Sequence, residues 1–154
     1  MALQQYDEAQ FYYNQAQDLY LEIGDRRGQG IVYNDLGVLY ESSSEIRVAF
    51  EYYTRALALL REIGDRWEEV TVLRNLGRVF VIVERFDAAL ACLWLASSIA
   101  DAIHKNIEGE IVPCWIRRSL PEEEFERLWS QAESQAGRII DQAIRDDLPA
   151  SEDE

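Results

Sequence analysis

A forty-residue period runs through the chain, and a period of that length admits few folds. Ile23-Gly24-Asp25-Arg26 returns as Ile63-Gly64-Asp65-Arg66, and Leu36-Gly37 with Tyr40 returns as Leu76-Gly77 with Phe80. Ala9, Tyr13 and Ala16 return as Ala49, Tyr53 and Ala56, then as Ala89, Leu93 and Ala96. Three alignments at one offset define a unit that stacks on copies of itself, because one unit alone cannot bury its apolar stripe.

Each unit reads as two helices. The first runs from about Asp25 to Glu41, with Val32, Tyr33, Leu36 and Tyr40 on one face at helical spacing. Ser42, Ser43 and Ser44 interrupt it, since short hydroxyl side chains compete for the backbone. The second runs from about Glu45 to Ile63, with a stripe of Val48, Ala49, Tyr52, Tyr53, Ala56, Leu59, Leu60 and Ile63. Gly64 suits the left-handed residue that ends a helix, and Asp65 can cap the next. Gly24 and Asp25 repeat this logic one unit earlier. Gly37 and Gly77 stand mid-helix, where glycine costs about 1 kcal/mol relative to alanine. The spacing predicts that they pack against Ala49 and Ala89 so that paired helices approach closely, with Tyr40, Tyr53 and Phe80 filling the space between units.

Tyr33, Leu36-Gly37 and Tyr40, followed by Ala49, Tyr53 and Ala56, resemble the tetratricopeptide repeat. Leu73, Leu76-Gly77, Phe80, Ala89, Leu93 and Ala96 form a second copy, and the resemblance covers residues 4 to about 103. The usual repeat has 34 residues and a proline near its end. Here the period is forty and Gly-Asp-Arg replaces the proline, which looks like the longer variant of bacterial signalling proteins and cell-polarity adaptors. HEAT and armadillo repeats share the longer period but lack the Leu-Gly-x-x-Tyr spacing. The implied fold is all-α: an antiparallel helix-pair solenoid of about 2.5 repeats plus a C-terminal capping helix.

The array is expected to cover residues 1–118. It comprises a half unit at 4–23, units at 24–63 and 64–103, and a degenerate helix at 104–118. Ile116 falls forty residues after Leu76, and Pro113 predicts a kink or a late start there. Ser119-Leu-Pro-Glu122 reads as a capping box opening a helix over 119–147. Its stripe is Phe125, Leu128, Trp129, Ala132, Ala136, Ile139, Ile140 and Ala143. The stretch from Leu120 to Trp129 also resembles the closing helix of repeat regions in large bacterial transcription regulators and signalling ATPases. Residues 148–154 read as a disordered acidic tail. An opening half unit leaves an apolar face uncovered, which predicts a segment of a longer array, with a symmetric dimer through that face as the second reading.

Net charge of -14 argues against nucleic acid and anionic membrane surfaces, both of which call for clustered Lys and Arg. Residues 119–154 hold eleven acids against three arginines. No basic stretch leading into an apolar run opens the chain, and the expected location is cytoplasmic. Cys92 and Cys114 fit no metal spacing and read as buried thiols. The single histidine, His104, lies at a helix end. No phosphate-loop, dinucleotide, nucleophile-elbow or zincin motif occurs, so neither an enzyme nor any metal or cofactor is expected.

The expected function is a protein-interaction scaffold or sensor module of a larger regulator, holding a peptide or partner helix in a concave groove; a homo-oligomerising structural module is the alternative. By resemblance to the family, the groove positions are Ile31, Asn34, Asp35, Val38 and Glu41 in one unit, and Thr71, Arg74, Asn75, Arg78 and Val81 in the next. Arg74 and Arg78 share a helical face. With Asn75 they resemble part of the family's chaperone-binding clamp and suit a carboxylate; the competing reading pairs both arginines with Glu68 or Glu69.

Overall fold

The computed structural model describes residues 2–104 and 114–148. It contains seven helices and no strand among the described residues: α1 (Ala2–Ile23), α2 (Arg26–Ser42), α3 (Ile46–Ile63), α4 (Arg66–Ile82), α5 (Phe86–Ala102), α6 (Cys114–Ser119) and α7 (Glu122–Asp146). This is the all-α helix-pair class that the repeat predicts. The chain forms two compact halves, residues 1–72 and 73–154.

The turns explain the period. Gly24 and Gly64 take φ of 71° and 74°, a region open to glycine at no steric cost. In each case the following aspartate donates its amide back to the ended helix, Asp25 to Tyr20 O at 2.9 Å and Asp65 to Leu60 O at 2.9 Å. The carboxylate of the same aspartate then caps the next helix, accepting from Gly28 N at 2.9 Å and from Glu68 N at 3.1 Å. The turns after α2 and α4 repeat the backbone pattern without glycine: Glu45 N reaches Tyr40 O and Arg85 N reaches Phe80 O. Ser44 and Glu84 hold the left-handed position there, at φ 66° and 58°.

In the first half, α1, α2 and α3 pack as antiparallel neighbours. Gly30 lies against Leu60 and Gly37 against Tyr53, so numbers fall along α3 as they rise along α2. A β-carbon on Gly37 would come within 2.5 Å of the Tyr53 ring. The glycine is therefore a seat for a fully buried aromatic of its own unit. Gly77 differs. Its β-carbon would meet Leu93 at 3.3 Å and the Ala89 carbonyl at 3.5 Å, nearer the expected Gly–Ala approach. Tyr40 does link elements: its ring stacks on Tyr52 of α3 at 5.4 Å and meets Tyr6 of α1 edge-on at 6.4 Å.

In the second half, α5 is apolar almost all round, burying Ala88 to Leu93, Ala96, Ile99 and Ala100, and α7 packs against it. α7 buries Phe125, Ala132, Ala136, Ile140 and Ala143. Two expectations need correction here. The N-cap is Pro121 with no side-chain cap bond, because Ser119 closes α6 instead of opening α7. α7 is also interrupted at Gln135, at φ −140° and ψ 17°. α6 begins one residue past Pro113 and buries Ile116. Leu148, assigned to the tail, is buried, and its amide donates to Asp147; the rest of the tail, 149–154, and residues 105–113 lie outside the described residues. Cys92 is buried and forms no disulfide.

Candidate partner-binding surface

On α2, the residues at i, i+3, i+4 and i+7 from Ile31 form one outward strip. Ile31, Asn34 and Asp35 are half-buried and Val38 is 43% exposed, while Val32, Leu36 and Gly37 on the other sides are buried. The sequence thus places four of its five α2 positions on accessible surface. The fifth, Glu41, turns toward α3, where its carboxylate accepts from the Tyr53 hydroxyl at 2.7 Å.

Asp35 is the electrostatic focus of that strip. Burial pushes its carboxyl above the usual carboxylate range; the Asn34 side chain opposes this by donating to it, and the negative charge of Glu68 adds to the rise. The Tyr13 phenol of α1 is raised as well, by burial first and by Asp35 second.

α4 contributes less surface than the sequence suggests. Arg74 and Arg78 are exposed at i and i+4 and Thr71 is half-buried. Asn75 and Val81 are buried, at 9% and 7% exposure. Val81 continues the buried line of Leu73 and Gly77, and Asn75 sits beside fully buried Leu76, so neither side chain is offered to a partner. Arg74 and Arg78 both have interactions of their own.

Glu68 and Glu69 have other partners. Arg27 reaches Asp65 at 2.7 Å and Glu68 at 3.3 Å. Glu69 is buried and accepts from Arg61 at 2.9 Å and Arg66 at 2.8 Å. Sequence reasoning missed this cluster. Glu69 reads as one more acid in a first turn, and the arginine that holds it from α3 lies eight residues upstream.

The outward side of α1 is the other surface. Phe11, Tyr12, Leu19, Leu21 and Ile23 are all more than half exposed. The half-unit register predicts an uncovered apolar face there, though without naming these residues. No group of three His, Cys, Asp or Glu side chains that could hold a metal occurs among the described residues, and none of their helices is long and apolar enough to cross a membrane.

A family model described as tetratricopeptide repeat matches residues 1–62, the half unit and nearly all of the first complete unit. Comparison with curated proteins and with solved structures yields no match. Repeats of this family generally mediate protein–protein interaction. The match takes in the Gly24-Asp25 turn and the aromatic seat of Tyr53, and it supports a tetratricopeptide repeat over residues 1–62.

Proposed function

We propose that the chain is a non-catalytic interaction module that holds a peptide or partner helix against the outward faces of its first helices. The observation that carries this reading is the α2 strip. An apolar side chain, Val38, is left 43% exposed beside a desolvated carboxyl and an amide, on a helix whose other faces are packed. Apolar anchors next to a few oriented polar groups are what partner surfaces offer. Ile31, Asn34, Asp35 and Val38 form this surface on the first half. On the second half, Arg74 and Arg78 present two cations one turn apart, suited to a carboxylate-bearing segment. We place the module in the cytoplasm, as part of a larger regulator.

A displayed peptide library selected on the whole chain tests the proposal. Selected peptides should lose about tenfold or more in affinity on Val38→Glu, as expected when an apolar anchor is replaced by a charge. Peptides with acidic termini should lose binding on the double change Arg74→Glu, Arg78→Glu, with helicity by circular dichroism unchanged. Unaltered affinity in both variants would remove the site assignment.

A further inference from the structure

On α2, Ile31 and Val38 stand seven residues apart on one face, about 10 Å along the helix, with Asn34 and Asp35 between them. Val38 is exposed and the other three are half-buried. The strip therefore sets one carboxyl between two apolar side chains. Two elements beyond α2 reach that carboxyl, and neither brings it a positive charge. α4 faces it with the like charge of Glu68, and α1 with the Tyr13 phenol. α1 holds no basic residue at all. The two arginines of α2 are engaged elsewhere, Arg26 on Glu62 and Arg27 on Asp65 and Glu68. Among the described residues of the first half, the Asn34 side chain donates to Asp35 and no cation is bonded to it.

A carboxylate partly out of water and without a counter-charge is destabilising. A cation brought by a partner offsets that penalty in the bound state through a charge-assisted hydrogen bond. The chain's net charge of -14 acts in the same direction: it draws a basic segment and opposes a second copy of the chain. We propose that the α2 strip selects a basic segment of a separate protein, which places a lysine or arginine on Asp35 and covers Ile31 and Val38 with apolar side chains on either side of it. The inference rests on the reading of α2 as a partner surface and names the chemistry which that surface takes. It separates the strip from Arg74 and Arg78, which suit the opposite charge.

The probes are peptides selected from a displayed random library on the whole chain and weakened by Val38→Glu. They should carry a lysine or arginine whose change to glutamine lowers affinity about tenfold in fluorescence anisotropy, in line with the loss of a facing charge pair. Asp35→Asn should weaken the parent peptides about tenfold and the glutamine peptides no further, which ties the two groups to each other. The substitution removes an uncompensated charge from a half-buried site, so the variant should keep its helicity, checked by circular dichroism. Three results would overturn the proposal. Peptides that Val38→Glu weakens, yet that hold no basic residue or ignore Asp35→Asn, remove the basic partner and leave the surface standing. A selection in which Val38→Glu weakens no peptide removes the surface and the proposal together. A dimer in sedimentation that Asp35→Asn dissolves makes a second copy the occupant.

Discussion

Asp25 and Asp65 each close one helix with the amide and open the next with the carboxylate, and Asp65 also receives Arg27. A function concentrated in one residue and its glycine neighbour is local, and local chemistry is legible: the Gly-Asp pair locates both turns within a residue of where they occur. Asp35 was legible as a surface position but not as a perturbed acid, since its shift comes first from burial, which packing sets, and in smaller part from Glu68, far away in the chain. Its raised pKa means that the folded chain holds the Asp35 proton more tightly than the unfolded chain does. Ionised Asp35 therefore costs stability at neutral pH, and that cost fades as pH falls through the raised value. Asp35→Asn should melt at a higher temperature than the parent at pH 7. The gap should narrow on acidification and vanish below the unfolded carboxylate pKa near about 3.9. Calorimetry of both proteins between pH 7 and pH 3 checks this, and a gap that widens with acid would contradict it.

At the scale of elements, aligned positions in the two units are not equivalent. Gly37 and Gly77 occupy the same place in the repeat, yet one seats a buried tyrosine ring and the other faces a leucine that nearly clears it. Gly37→Ala should cost about 1–3 kcal/mol as an overpacked core position. Gly77→Ala should stay within about 1 kcal/mol of neutral, because the gain in helix propensity offsets a contact only slightly too close. Urea denaturation of the two variants separates these cases, and equal losses would show that the two sites are packed alike. The helices themselves were readable from periodicity and caps: Asp25 to Glu41 is observed as Arg26–Ser42, and Glu45 to Ile63 as Ile46–Ile63. The side-chain partners were not, because a repeat alignment records that Gly37 is small and not which ring lies above it. The break at Gln135 had no sequence signal stronger than the nearby Gly137.

For the whole molecule, the forty-residue register and an acidic surface with net charge of -14 frame what the chain can do. The register made the repeat class readable from sequence. It also left α1 with an apolar side that the structure shows exposed. The candidate surface was only partly legible. Ile31, Asn34, Asp35, Val38, Arg74 and Arg78 are accessible, whereas Asn75 and Val81 are buried, because α4 is packed on nearly every side. Family positions transfer to a new chain only as far as its own packing permits. The central claim is that the outward faces of the first helices bind a protein segment. Backbone amide chemical shifts, followed by NMR while a library-selected peptide is added to the whole chain, test it most directly. The account predicts shifts centred on residues 31–38 of α2 for a peptide that Val38→Glu weakens, and around Arg74 and Arg78 of α4 for one with an acidic terminus. Shifts confined to α5 and α7, with α2 and α4 unmoved, would contradict it.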